Sequence, residues 1–138
     1  MVLVDPIGSV LAGYKETGAI VEGDSKKYFT EGVGKNNIPG ALDVQWVDST
    51  VRYTDNDAFS MCHRLASEEG LSCGGSAGLN AHAALELGSQ VDKPAVIVTL
   101  LCDSGVKYLS KVFNSNWLKE NNFNTPEDTK DAQARMAN

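Results

Sequence analysis

An α/β domain with a parallel sheet flanked by helices is the fold class that this 138-residue chain predicts. Three observations carry it. The second half reads helix, glycine-rich turn, helix, strand, turn, helix. "PAVIVTLL" (residues 94–101) is a continuous β-branched run, the pattern of an interior parallel strand covered on both faces. A hydrophobic content of 42% is enough for the core of one ordinary domain.

The elements follow in order. "VLVD" (2–5) predicts a short strand closed by Pro6 and Gly8. Residues 14–31 are polar and irregular, with short strands expected at "AIVE" (19–22) and "KYFTE" (27–31). "EGVGKNNIPG" (31–40) is rich in glycine, asparagine and proline and therefore a loop. "DVQWVD" (43–48) alternates apolar and polar positions, as a half-buried strand does. A helix is predicted over 55–69, because Ala58, Phe59, Cys62, Leu65 and Ala66 share one face. Thr54 or Asp55 caps its start and Gly70 ends it. Cys62 falls on the apolar face, whereas His63 and Arg64 point to solvent. A second helix runs over 76–88, with Ser76 as N-cap, and is apolar enough to lie against a sheet. After the 94–101 strand comes "CDSG", then helices over 106–113 and 116–121. The tail, 124–138, is polar and expected to be loose.

Charge and cysteine content narrow the partners. A net charge of −6 and a pI of about 4.8 leave no basic stripe for nucleic acid or an anionic membrane. The longest apolar run, 95–101, is too short to span a bilayer. "MVLVDPIGS" lacks the basic start of a secretory leader. Cys62, Cys73 and Cys102 are odd in number and unpaired in spacing, which fits free thiols in a reducing cytoplasm. With no CxxC and only His63 and His82, no metal site is expected.

"CGGSAG" (73–78) is the densest candidate for chemistry. Gly74 and Gly75 permit positive φ and close backbone approach, and a helix start favours a negative or acceptor group. A capped helix packed tightly on its neighbour accounts for the same residues, and the pattern leaves both open. The turn lacks the G-K-[ST] ending of a phosphate loop. It fits G-x-S-x-G literally, but a nucleophile elbow follows a strand, and here a helix precedes it. His82, the only histidine after Ser76, lies on the same helix and cannot reach its start. A serine hydrolase is excluded. Cys73 sits near a helix start, where a thiol is activated, but has no basic neighbour in sequence and reads as packing. "CDSG" lies at the carboxyl end of the expected strand, where open α/β sheets bind ligands.

Four blocks occur in order: "VDPIGSVLA" (4–12), "EGVGKNNIPGALD" (31–43), "DAFSMCHRLASEEGLSCGGSAG" (57–78) and "CDSGVKYLSKVFNSNWLKENNF" (102–123). Together they resemble the C-terminal part of the catalytic core of the cystathionine β-synthases and cysteine synthases, fold-type II pyridoxal-phosphate enzymes. The resemblance implies a three-layer Rossmann-like parallel sheet, here incomplete. Residues 1–123 would be the C-terminal portion of a tryptophan-synthase-β-like domain. It implies pyridoxal phosphate as cofactor and Gly74, Gly75, Ser76 and Ser104 as cofactor-binding residues. In this family a serine hydroxyl meets the pyridine nitrogen. That serine matches Ser76 in the cystathionine β-synthases and Ser104 in the cysteine synthases. A neutral hydroxyl does not hold the nitrogen protonated, so it restrains the electron sink and favours β-elimination.

Glu31, Gly32 and Gly34 match the family's E-G-[IV]-G loop beside the active site. Lys35 stands where cystathionine β-synthases carry tyrosine, which bears on the choice of amino-acid substrate. Cys102 replaces a proline. The family's Schiff-base lysine and phosphate cradle have no counterpart in this sequence, so no catalytic residue is assigned. The implied function is that of a C-terminal fragment or half of a β-replacement enzyme, inactive alone. Such an enzyme joins serine or an activated serine to a thiol, giving cystathionine or cysteine. Pyridoxal phosphate would bind only when an N-terminal half completes the site, and the partner is that half or another copy of the chain. The alternative is a non-catalytic α/β module of the same descent that binds a small molecule or a protein.

Overall fold

The computed structural model describes residues 1–129 and divides into two compact units, Met1–Asp55 and Asn56–Asn138. In the first, β1 (Val2–Pro6) pairs in parallel with β2 (Ser49–Tyr53), in register from Val2 opposite Ser49 to Pro6 opposite Tyr53. A parallel pair needs a crossover, and α1 (Leu11–Thr17) lies within it and packs on both strands. Val10, at the N-cap of α1, offers no side-chain cap. Asp5, fully buried at the end of β1, does this work: its Oδ2 accepts from Ala12 N at 2.9 Å. Burial raises the Asp5 carboxyl above its ordinary range, against the lowering effect of Ser9 and the Ala12 amide. Gly18, at φ 78°, ends the helix.

Three expected strands do not form in this unit, and hydrogen bonds made in place of a ladder explain each. At 19–22, Thr17 Oγ1 accepts from Ala19 N and the chain turns so that Asp24 N reaches Val21 O. At 27–31, the amides of Phe29 and Thr30, which a ladder would need, donate to the Asp55 carboxylate at 2.9 and 2.8 Å. At 43–48, Asp43 Oδ1 accepts from Gln45 N and starts a single 3-10 turn, Val44–Trp46. The strand begins just after it, at Ser49.

In the second unit, α2 (Asp55–Glu68) buries Ala58, Phe59, Met61 and Cys62, the expected face. Gly70, at φ 69°, lets Leu71 N return to Leu65 O at 2.9 Å and closes the helix. His63 is not solvent-facing as expected. It is buried edge-on to Phe113, with centroids 5.5 Å apart, and its Nε2 has no partner among the described residues. α3 (Gly75–Ser89) begins one residue earlier than predicted, with Gly74 rather than Ser76 at the N-cap. Its first half is buried and its second half exposes Leu85. A side chain at Gly78 would meet Ala58 O at 2.2 Å and Cys62 Sγ at 2.6 Å, so glycine is what lets α3 touch α2. α4 (Ser115–Glu120) is capped by Asn114, whose Oδ1 accepts from Asn116 N and Trp117 N. Phe59 meets Phe123 at 5.0 Å and Trp117 at 6.0 Å, which fastens α4 to α2.

The run 94–101 is not a strand. Among the described residues no backbone hydrogen bond joins it to another segment. Ile97 comes within reach of Gly88 on α3 and Leu100 O accepts from Asn80 Nδ2 at 3.1 Å. Val96, Val98 and Leu100 are 93%, 87% and 72% exposed. One face thus rests on α3 and the other is open. β-branched residues favour a sheet only where neighbours supply the ladder. The helix expected over 106–113 is one 3-10 turn, Gly105–Tyr108, after which Lys111 N and Phe113 N both fold back to Tyr108 O. The expected loose tail is described only to Thr129. There Asn124 N donates to Asn56 Oδ1, Asp128 accepts from Thr125, and Thr125 and Thr129 are buried. The remainder lies outside the described residues. Among the described residues no helix is long and apolar enough to cross a membrane.

Two measurements follow from this packing. Gly78→Ala should cost about 1–3 kcal/mol through overpacking at the α2–α3 contact, read as a lower urea midpoint. His63 sets an acid limit. Its imidazole titrates near 6.5 when unfolded, and burial lowers it in the folded chain, against a smaller opposing pull from Glu127. Between those values the unfolded chain binds more protons, so stability present above about pH 6.5 falls as pH drops below it. His63→Leu should flatten this part of the stability profile.

Candidate functional site

Two turns of the second unit are locked together. Gly74 N donates to Asp103 O at 3.1 Å and Gly105 N donates to Ser72 O at 3.2 Å, an isolated antiparallel bridge centred on Cys73 and Ser104. Four of the sequence-predicted residues, Gly74, Gly75, Ser76 and Ser104, are thereby held in one neighbourhood. The bridge needs glycine on both sides. A Cβ on Gly105 would meet Ser72 Oγ at 2.3 Å. A Cβ on Gly74 would meet Asp103 Oδ1 at 2.2 Å and the Tyr108 ring at 2.4 Å, so the space left by Gly74 is taken by these two side chains.

Asp103 and Tyr108, both inside the 102–123 block, are the supporting residues, and the sequence alone assigns neither of them a role. Tyr108 Oη donates to Asp103 Oδ2 at 2.9 Å, and Lys107 Nζ reaches the same oxygen at 3.3 Å. Asp103 Oδ1 is buried with no hydrogen-bond partner among the described residues. The signal was their five-residue spacing in D-S-x-x-x-Y, which one 3-10 turn brings into contact.

The two serines differ. Ser104 is exposed, and its Oγ accepts from Val106 N at 3.4 Å as the cap of that turn. Ser76 is buried in the first turn of α3 and is relieved of capping by Gly74. Ala77 N and Gly78 N donate to Gly74 O, so the amides of Gly75 and Ser76 are the helix's leading donors. A hydroxyl beside those two amides suits a neutral or anionic acceptor.

The other predicted residues, Glu31, Gly32, Gly34 and Lys35, belong to the first unit and form a braced loop there. Gly32 and Gly34 have φ of 81° and 64°, which only glycine takes without strain. A side chain at Gly34 would strike Pro6, Ser9 and Tyr28 within 2.8 Å. The Lys35 backbone is held at both ends. Its N–H donates to Ser9 Oγ at 2.9 Å, and its carbonyl accepts from Val10 N at 2.9 Å and Ser9 Oγ at 3.2 Å. Just upstream, Thr30 Oγ1 donates to Asp55 Oδ1 at 2.6 Å, alongside the two amide bonds to the same carboxylate. Sequence reasoning took Thr54 or Asp55 for a helix cap and gave Ser9 no role; neither long-range bond has a local signature. Among the described residues no cluster of three His, Cys, Asp or Glu side chains is placed to hold a metal ion.

Comparison with known proteins agrees with this frame. The sequence pattern of the family described as "Pyridoxal-phosphate dependent enzyme" matches residues 1–103. The cystathionine beta-synthase of Dictyostelium discoideum is 40% identical over 131 residues, 94% of this chain and 26% of that protein. Cysteine synthase 1 of Neurospora crassa is 37% identical over 123 residues, 88% of this chain and 33% of that protein. The structure of O-ureido-L-serine synthase superposes with a TM-score of 0.72 at 27% identity, covering 83% of this chain and 34% of that one. The O-acetylserine dependent cystathionine beta-synthase of Helicobacter pylori superposes at 0.65 with 30% identity, over 80% and 33%. The chain therefore spans between a quarter and about a third of the length of these relatives. On its fold and on the match across most of its length, this chain belongs to the pyridoxal-phosphate dependent enzyme family.

Proposed function

We propose that this chain is a C-terminal fragment or half of a pyridoxal-phosphate-dependent β-replacement enzyme of sulfur amino-acid metabolism, acting on serine or an activated serine and a thiol. The observation that carries the reading is the bridge that holds Ser76, at the start of α3, beside the Ser104 turn. The residues present fit one wall of a cofactor site. Ser76 would give its hydroxyl to the ring nitrogen, because it is buried and unneeded as a cap, whereas Ser104 already caps a turn. Gly74 and Gly75 would hold that helix start in place. The bound cofactor would supply the electron sink for loss of a leaving group at the amino acid's β-carbon. A hydroxyl on its nitrogen would keep that sink moderate. The braced Glu31-Gly32-Val33-Gly34 loop fits the family's active-site border, with Lys35 influencing the choice of amino acid.

The lysine and the phosphate cradle would come from an N-terminal half, and cofactor binding without it would be weak. The open face of Val96, Val98 and Leu100 supports such a partner, since a β-branched run with an exposed apolar face gains most by joining a sheet. Three free cysteines favour a reducing cytoplasm. The same open face also favours a second reading, a non-catalytic module that binds a protein partner or another copy of itself.

Mixing separates the two. The full chain, combined with the N-terminal region of a cystathionine β-synthase relative, should develop a visible cofactor band and release a leaving group from serine or O-acetylserine. Association without a band in any pairing would leave only the non-catalytic module. In the assembled enzyme, Ser76→Ala should slow turnover about tenfold, the worth of one hydrogen bond of about 1–1.5 kcal/mol. An unchanged rate with Ser76→Ala would move the assignment to Ser104.

A further inference from the structure

The first unit holds a cationic concavity to which the proposed chemistry assigns no ligand. Residues 25–36 curl round a space of about 710 Å³, within the range of small-molecule sites and far larger than a single oxyanion. Lys26, Lys27 and Lys35 line it against one acid, Glu31, in a chain whose net charge is −6. Among the described residues none of the three ammonium groups is in an ion pair. The neighbouring carboxylates are engaged elsewhere. Asp55 accepts three hydrogen bonds from residues 29 and 30, and Asp24 lies against Gly13 and Arg52.

The segment is pinned at three places. Lys26 N donates to Gly8 O at 2.9 Å, Phe29 N and Thr30 N donate to Asp55, and the Lys35 amide and carbonyl are bonded to Ser9 and Val10. The Lys27 ammonium is held 4.4 Å above the Phe29 ring. Between the last two pins, left-handed Gly32 and Gly34 turn the chain. The amides of Gly32, Val33 and Gly34 have no acceptor among the described residues. The lysines thus leave the backbone at fixed points, so less order has to be imposed when an anion bridges them.

We propose that this concavity binds a small organic dianion, its charges met by the three lysines and the Gly32–Gly34 amides and its carbon body lying against Tyr28, Phe29 and Val33. Three cations opposed by one acid leave two positive charges, which a dianion balances and a monoanion does not. The acid groups are carboxylate or phosphate, since both accept from ammonium and amide donors alike. The site lies wholly in the first unit and needs neither cofactor nor N-terminal half, so it stands apart from the reading above.

The test is made on the isotope-labelled full chain at low salt, followed by the NMR signals of its amides. Succinate serves as the dicarboxylate probe and glycerol phosphate as the phosphate monoester. At least one should shift the Gly32, Val33 and Gly34 amides saturably, and the better probe identifies the acid group. Inorganic phosphate, which has no carbon body, should bind about tenfold more weakly than that probe. Added sodium chloride should weaken binding, because the charges are exposed to screening. Lys27→Met combined with Lys35→Met should weaken it about tenfold, whereas Lys119→Met, on an exposed lysine of α4, should leave it unchanged. The inference is overturned if neither dianion shifts these amides, if uncharged glycerol shifts them equally, if inorganic phosphate binds as tightly, if salt has no effect, or if the Lys119 variant loses as much as the loop variant.

Discussion

Two backbone hydrogen bonds, from Gly74 to Asp103 and from Gly105 to Ser72, set the geometry on which the rest of the second unit depends. They are only as long as they are because each turn carries glycine where the other turn arrives. Their effect is larger than their number. They decide where α3 begins, and so which residue caps it and which hydroxyl is left over. They also decide where the 3-10 turn after Ser104 starts, and so how Tyr108 meets Asp103. A helix start by itself is a common feature. One whose first residues are clamped from outside by a second turn is a fixed wall against which a ligand can be oriented.

Aspartates extend the same logic elsewhere. Asp5 satisfies the start of α1 from a neighbouring strand, Asp55 gathers three donors from residues 29 and 30, and Asp103 takes the Tyr108 hydroxyl. Asp55 draws its donors from far along the chain, whereas Asp5 and Asp103 reach only seven and five residues. Charge-assisted bonds of this kind are stronger than neutral ones and costly to leave half made. Part of the chain's acidity is thus interior scaffolding rather than solvated surface.

This division also explains what could be read from sequence. The helical period placed α2 within a residue of its observed end, and Gly70 stopped it as its conformational freedom predicts. The glycine-rich loop at 31–40 was equally legible, because its turn residues act locally. The failures have two causes, short-range side-chain capping and non-local partners. Alternation at 43–48 gave way to one aspartate side chain, and the amides of 29 and 30 were claimed by Asp55. His63 broke the apolar pattern yet is buried, because Phe113 arrives from fifty residues away. For the site, the motif residues were visible one by one. That Cys73 and Ser104 would face each other across a bridge was not, since no short window contains both.

The open run at 94–101 has a consequence at high concentration. An apolar segment with no ladder partner among the described residues is a template for its own kind, and the rate of that encounter grows with concentration. Its flanks carry the usual brakes: Asp92, Lys93 and Pro94 before it, and Asp103 just after. These slow aggregation without removing its cause. Covering that face, whether by further residues of the same protein or by another molecule, removes the template at its source.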